Sequence, residues 1–309
     1  MIVSASYKTD IPAFYGNWFL NRLEAGYCRV LNPYGGKPFT VSLRPADVDG
    51  FVFWTRNLAP FLDALEIVGD RNLPFAVQYT ITGYPRLLDA ATAAPERTVA
   101  DLRMLAGRYG RRCGVWRYDP ILFTSLTPAD WHRDNFARLA LDLSGIVDEA
   151  VISFAQIYRK TAGNLNAAAR LSRFDWWDPE PGEKKALMAE MAAIAADHRM
   201  KLTLCGQPEL LIPGVDDANC IDSIRLSDIA GRAITAPRRA HRKTCACHAS
   251  RDIGDYDTCP HGCVYCYAVR TRALAKRRFA AHDPKGEFLF PPAQIPAPIE
   301  QNRSPELPF

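Results

Sequence analysis

Short apolar runs alternate along this chain with longer amphipathic stretches. Residues 1–7, 27–30, 49–54, 75–82, 114–118, 150–154, 201–204 and 223–226 are rich in β-branched and aromatic side chains, the composition of buried strands. Between them, 14–25, 58–65, 95–109, 128–143 and 181–197 carry amphipathic patterns that predict helices with one buried face. The Ala-, Met-, Glu- and Lys-rich stretch 181–197 holds the strongest helix formers. Strand followed by helix, repeated, predicts parallel βα units. About eight such strands predict an α/β fold built as a parallel (β/α) barrel, TIM-like and either closed or incomplete.

The periodicity sets an organisation in three parts. Residues 1–234 form the predicted barrel. Residues 235–280 lose the periodicity and gather Cys, Arg and His, which predicts a cysteine-rich, cluster-binding segment packed on the barrel. Residues 281–309 are rich in proline and are expected to be extended or disordered. A chain of 309 residues with 48% hydrophobic content suits one barrel-sized core. No apolar run approaches the ~20 residues that cross a bilayer. The first residues lack the basic lead and apolar core of a signal peptide, so the expected compartment is the reducing cytoplasm.

Charge changes this picture locally. Between 232 and 278 there are eleven basic and three acidic residues, a local net charge of +8, which leaves −4 for the rest of a chain whose net charge is +4. Such a cap could balance a thiolate-ligated cluster, bind an anionic ligand or follow a nucleic-acid backbone. A solvated basic face is the plain alternative.

Nine cysteines supply the candidate chemistry. Cys28, Cys113, Cys205 and Cys220 are scattered through apolar surroundings and read as small buried hydrophobes. The other five crowd together as Cys245, Cys247, Cys259, Cys263 and Cys266. In a reducing compartment such crowding points to metal or redox chemistry rather than disulfides. Zinc could take four of these thiolates, with His248 and His261 as further candidates. The C-x3-C-x2-C spacing of Cys259, Cys263 and Cys266 favours iron–sulfur. A [4Fe–4S] cluster normally takes four thiolates, so three would leave one iron open.

The array, with Tyr265 just before its last cysteine, resembles the signature of the radical S-adenosylmethionine enzymes. The resemblance implies that Cys259, Cys263 and Cys266 hold three irons, that S-adenosylmethionine chelates the fourth, and that Tyr265 packs near the adenine. It also implies a reductant such as flavodoxin or ferredoxin. In that superfamily the motif follows the first barrel strand, whereas here it follows most of the chain. If Cys245 or Cys247 is a fourth ligand, the site is closed. A wider set of residues is similar to the bacterial domain-of-unknown-function family 1848. These are Cys245-x-Cys247, Asp252-Ile253-Gly254-x-Tyr256, the array with Tyr267-Ala268, Phe53-Trp54-Thr55-Arg56-Asn57, the 78–84 stretch and Trp116-Arg117-Tyr118-Asp119-Pro120.

Polar groups recur where the predicted strands end, the place where parallel barrels carry their chemistry. Arg117 and Asp119 are the catalytic candidates: Arg117 could clamp a carboxylate or phosphate, and Asp119 could orient a hydroxyl or move a proton. An internal Arg–Asp pair is the alternative. Thr55, Asn57 and Gln207 could give hydrogen bonds to a cofactor, and Trp54 or Trp116 could stack a base. His132 and His198 read as structural. Asp252-Ile253-Gly254 reads as a turn that brings Cys247 toward Cys259. Two functions stay open. One is an iron–sulfur enzyme of radical S-adenosylmethionine type acting on an unidentified substrate. The other is a binding or sensing protein with a closed four-cysteine iron–sulfur or zinc site and a basic surface for nucleic acid.

Overall fold

The computed structural model describes residues 1–32, 36–239 and 244–292. Its centre is an eight-stranded, all-parallel sheet. In chain order the strands are β1 (Ile2–Ala5), β2 (Tyr27–Leu31), β3 (Pro38–Ser42), β4 (Gly50–Thr55), β5 (Phe75–Thr80), β6 (Gly114–Ile121), β7 (Glu149–Phe154), β8 (Lys201–Leu204), β9 (Asp216–Asp217) and β10 (Ser250–Asp252). The sheet order is β10-β1-β4-β5-β6-β7-β8-β9, while β2 and β3 form a separate antiparallel pair. The helices are α1 (Ile11–Phe14), α2 (Gly16–Ala25), α3 (Leu62–Asp70), α4 (Pro95–Tyr109), α5 (Ala129–Asp142), α6 (Arg159–Ser172), α7 (Pro181–Asp197), α8 (Ser223–Ala230) and α9 (Arg272–Ala280). Proline in the first turn of α4 and α7 is pre-set for a helix start, where its missing N–H costs nothing. No helix of the described residues is long and apolar enough to cross a membrane.

Period-two alternation assigns the two faces of the sheet. Val3, Phe51, Phe53, Phe75, Val77, Trp116 and Ile152 lie in the large core with Phe19, Phe61, Leu102, Phe136 and Leu139 of the surrounding helices and turns. Each such aromatic or aliphatic side chain contributes on the order of 1.5–3 kcal/mol when buried. On the opposite face, Ile2, Val52, Ala76, Val115 and Val151 form a second, smaller core with Ala218, Cys220, Ile221, Leu226, Ile234 and Cys247. Two residues further along the same strands, this face turns polar with Ser4, Trp54, Gln78, Arg117 and Ser153. The apolar layer closes the N-terminal half of the sheet, and the polar layer faces the loops at its C-terminal end.

Several expectations are corrected. Among the described residues the sheet does not close, because β9 and β10 are its two unpaired edges; a closed TIM-like barrel is therefore not seen. The predicted strand 223–226 is the first turn of α8. Asp222 accepts from the Ile224 N–H at 2.9 Å, and Gly231 ends the helix in a left-handed conformation, so cap signals outweigh the Ile-Arg-Leu alternation. Arg225 is buried against Asp148 and Glu149, while Ile224 is 61% exposed, the reverse of the strand reading. The run 27–30 is a strand, but of the antiparallel pair and not of the main sheet. Segment 235–280 is more than a packed loop, since β10 pairs with β1 and extends the sheet. The proline-rich tail begins ordered. Trp18 donates to Gly286 O at 2.9 Å, and Phe288 and Leu289 are buried; the rest of the tail, 293–309, lies outside the described residues.

Candidate metal centre

Asp252 in β10 fixes the cysteine array to the sheet. Its carboxylate accepts from Ser4 Oγ and Ser6 Oγ, both at 2.8 Å, and from the Tyr7 and Gly254 N–H groups at 3.1 and 3.0 Å. Lys8 Nζ lies 3.4 Å away. Gly254 passes so close to the residue after β1 that a Cβ there would fall 2.0 Å from Ser6 Oγ, so a larger residue has to displace the Ser6 side chain. Beyond it the array loop is clamped at its neck. The Asp257 N–H donates to Ala268 O at 3.0 Å, and the Asp257 carboxylate holds both the backbone N–H and Nε of Arg270. Within the loop, Gly262 has φ +81° and an added Cβ would meet Arg272 Cδ at 2.4 Å, a position that favours glycine.

This clamp holds Cys259, Cys263 and Cys266 on one loop. The thiols act on each other electrostatically: Cys266 and Cys259 both act on Cys263, and Cys266 acts on Cys259. Burial pushes all three thiols up, Cys259 and Cys263 strongly, while Arg56 opposes this at Cys263 and Cys266, and Lys160 opposes it at Cys266. Without metal the array is neutral, and ligation has to release its protons. As they stand, no three His, Cys, Asp or Glu side chains among the described residues surround one ready-made ion position.

Ion pairs support the loop from below. Asp89, 1% exposed, accepts from Arg56 Nη1 at 2.6 Å, Thr82 Oγ1 at 2.9 Å and Tyr265 Oη at 2.7 Å. Arg56 Nη2 also donates to Tyr265 Oη. Cys263 forms an antiparallel bridge with Asp89, and the Val264 N–H donates to Leu88 O. Asp10 holds His261 Nε2 at 2.8 Å and accepts from the Arg56 and Ala13 N–H groups. Asp89 and Asp10 carry much of this site, yet neither is marked by the sequence pattern: Asp89 sits in an irregular stretch after β5.

The other candidates fall into place unevenly. Thr55 Oγ1 accepts from the Asn57 N–H, while the amide oxygen of Asn57 is buried with no hydrogen-bond partner among the described residues. Thr9 Oγ1, at the end of β1, is in the same condition. Gln207 is spent in part on the Phe154 N–H, which donates to its Oε1 at 2.7 Å. Arg117 and Asp119 are joined to each other. Arg117 also donates to Gln78 Oε1 and Cys220 Sγ and lies 4.9 Å over the Trp54 ring. Ser153 donates to the other Asp119 oxygen. Burial works against the Arg117 charge, but Asp119 together with the Cys220 and Cys205 thiols more than offsets it and keeps the guanidinium protonated. Trp116 is fully buried beside Phe136 and cannot stack a ligand, which corrects that expectation.

The five crowded cysteines separate in space. Cys247 is in thiol contact with Cys220 and Cys245, and Cys220 with Cys205 at 3.4 Å. The 252–254 turn thus does not carry Cys247 to Cys259. Cys205 and Cys220 are not isolated hydrophobes either, unlike Cys28 and Cys113, which are buried singly. His261 is held by Asp10 and Ala91 O, and His248 by Ile221 O and the Ser223 N–H.

Residues 2–268 match the model of a family described as a domain of unknown function, DUF1848, and the chain belongs to that family. No curated protein matches it.

Proposed function

We propose that this member of the family is an iron–sulfur enzyme of radical S-adenosylmethionine type, with its substrate over the C-terminal end of the parallel sheet. The observation that carries the reading is the separation of the cysteines. Cys259, Cys263 and Cys266 share one clamped loop and lie within electrostatic reach of one another, while Cys245 and Cys247 are engaged with other thiols. Three thiolates without a fourth suit a cluster that keeps one iron for an exchangeable ligand. The residues present fit such a group in two further ways. Arg56 and Lys160 bring positive charge toward the thiols. Thr9 Oγ1 and Asn57 Oδ1, without a partner among the described residues, sit in the loops after β1 and β4, next in sequence to the Asp10 and Arg56 that support the array.

When bound, a cluster with S-adenosylmethionine supplies one-electron cleavage of the cofactor and hydrogen abstraction from a substrate. The chain's own part is to hold and to exclude. Asp257, Asp252 and Gly254 fix the loop against β1. Tyr265 acts through the Arg56–Asp89 ion pair, which it hydrogen-bonds beneath the array. Arg117 is buried and its guanidinium is engaged with Asp119, Gln78 and Cys220, so its part is to hold the polar layer of the sheet in place. The electron comes from a reductant of flavodoxin or ferredoxin type. The closed-site alternative, with Cys245 or Cys247 as fourth ligand and nucleic acid on the basic cap, has less support. Arg270, Arg272 and Arg278 of that cap are already bound to Asp257, Pro260 O and Tyr256 O.

Anaerobically prepared, dithionite-reduced protein tests the reading by electron paramagnetic resonance with and without S-adenosylmethionine. A [4Fe–4S]⁺ signal that changes on adding the cofactor is expected. A signal indifferent to it, or iron-free protein after reconstitution, sinks the proposal.

A further inference from the structure

We propose that Cys205, Cys220, Cys245 and Cys247 form a second metal site, a four-thiolate tetrahedron for one zinc ion that staples the two open edges of the sheet. The site is distinct from the Cys259–Cys266 array and does not rest on the function proposed for it.

The four come from three separate segments. Cys205 is the first residue past β8, Cys220 lies three residues past β9, and Cys247 lies three residues before β10. The strands β9 and β10 are the unpaired edges of the sheet, so the cysteines gather where it is open. Their thiols form a continuous chain. Cys205 Sγ and Cys220 Sγ are 3.4 Å apart, Cys220 contacts Cys247, and Cys247 contacts Cys245. The ends of the chain also approach each other, because Thr244 Oγ1 donates to Gly206 O at 2.8 Å, which lays the neighbours of Cys245 and Cys205 side by side.

Spacing selects the ligand. Zinc–sulfur bonds of about 2.3 Å in a tetrahedron put sulfurs about 3.8 Å apart. A disulfide needs about 2.05 Å, far shorter than the contact seen. A cubane cluster spreads its thiolates across its outer corners, wider than these contacts. The surroundings also suit a metal thiolate. Arg117 Nη1 donates to Cys220 Sγ at 2.9 Å and the Ile221 N–H to Cys247 Sγ at 3.4 Å, the N–H···S bonds that orient thiolate ligands and offset their charge. Gln78 Nε2 holds Cys220 O at 3.1 Å. The apolar layer of Ile2, Val52, Val115 and Val151 lies in the same core as Cys220 and Cys247 and keeps water away. The four thiols stand as a chain and do not yet enclose an ion position; binding draws them into a ring, releases four protons and leaves a dianionic centre that faces the Arg117 guanidinium.

The test uses the full chain with Cys259, Cys263 and Cys266 all changed to Ala, so that iron at the array cannot contribute. Anaerobic titration with Co²⁺ is expected to give the intense visible bands of a tetrahedral cobalt thiolate at about one equivalent, bleached by Zn²⁺. Adding Cys205→Ser and Cys220→Ser is expected to weaken Co²⁺ binding more than about 100-fold. Because that variant could fail to fold, alkylation mapping of wild-type protein by mass spectrometry decides independently. Cys205, Cys220, Cys245 and Cys247 are expected to be protected with zinc and labelled after chelation, while Cys28 and Cys113 are unchanged. Absence of cobalt bands, octahedral bands, labelling of the four indifferent to chelator, or a Cys205–Cys220 disulfide in the anaerobic protein would each overturn the proposal. Loss of the iron signal at the array leaves all of these readouts untouched.

Discussion

The two cysteine groups share burial and differ in everything around it. Cys259, Cys263 and Cys266 sit on one loop above the Arg56–Asp89 ion pair and the hydrogen bond between His261 and Asp10. Cys205, Cys220, Cys245 and Cys247 come from three segments and lie against an apolar layer. A loop that carries its own ligands and is edged by fixed charges can exchange a polar partner at a metal. Ligands drawn from separate segments into an apolar interior tie those segments together and exchange nothing. The contrast teaches that reactivity and stapling are set by the shell around the thiols, since the thiols themselves are chemically the same.

The sharpest way to break the contrast is to cross the two groups. Cys259→Ala or Cys263→Ala is expected to abolish bound iron after reconstitution, whereas the Cys245→Ser, Cys247→Ser double variant keeps it. Iron analysis reads both, and loss of iron from the second variant erases the distinction. Next in size is Asp89→Asn, which leaves Arg56 buried without its countercharge beside the array. The expected cost is about 3–5 kcal/mol in urea unfolding. A cost below about 1 kcal/mol, the range of exposed pairs, means that this ion pair does not anchor the loop. Smaller again is Gly254→Ala, where the new methyl group meets Ser6 Oγ and Cβ. About 1–3 kcal/mol is expected, the usual penalty for overpacking. In a Ser6→Gly background most of it should vanish, since the two shortest contacts, to Ser6 Oγ and Cβ, are then gone; simple additivity would show that these contacts are not the cause.

How much of this was legible in the chain follows from range. The helices 95–109 and 181–197 coincide with α4 and α7, and the strand 201–204 with β8, because propensity and periodicity are local. Strand 27–30 was legible as a strand but not as part of a hairpin, since partner choice is not local. Residues 223–226 form a helix turn and not a strand, because the caps Asp222 and Gly231 on either side outweigh the strand propensity of so short a run. At the site, the spacing of Cys259, Cys263 and Cys266 put all three on one loop, where they stand within the Asp257–Ala268 clamp. Grouping Cys245 and Cys247 with them followed sequence distance, whereas β10 runs between the two sets and separates them. Asp89 left no signal at all: a lone carboxylate in an irregular stretch gains its meaning only when Arg56, Thr82 and Tyr265 arrive from elsewhere.

The smallest expected effect guards the comparison against a false reading of pH. Thiolate metal sites lose their ions in acid, so any acid sensitivity of the scaffold has to be separated from that loss. His132 provides such a sensitivity away from both cysteine groups. It is fully buried in α5 among Tyr84, Tyr118, Phe123 and Trp131, and its ring nitrogens bond to Tyr118 Oη at 2.9 Å and Leu122 O at 3.0 Å. Burial lowers its pKa to about 4, with the Leu122 carbonyl opposing the shift. The unfolded chain, with an ordinary histidine near 6.5, therefore binds a proton that the folded chain refuses between about pH 6.5 and 4. Stability from this group is complete above pH 6.5 and falls as the pH drops through that window. Between pH 7 and 5.5 the loss is about 1 kcal/mol. Urea unfolding of metal-free protein at the two pH values should show it, and the slope should shrink in His132→Gln. The imidazole resonances of His132 should stay flat down to about pH 5. If the ring titrates near 6.5, acid loss of metal belongs wholly to the cysteine sites, and their different shells become the only source of any difference in how the two groups release it.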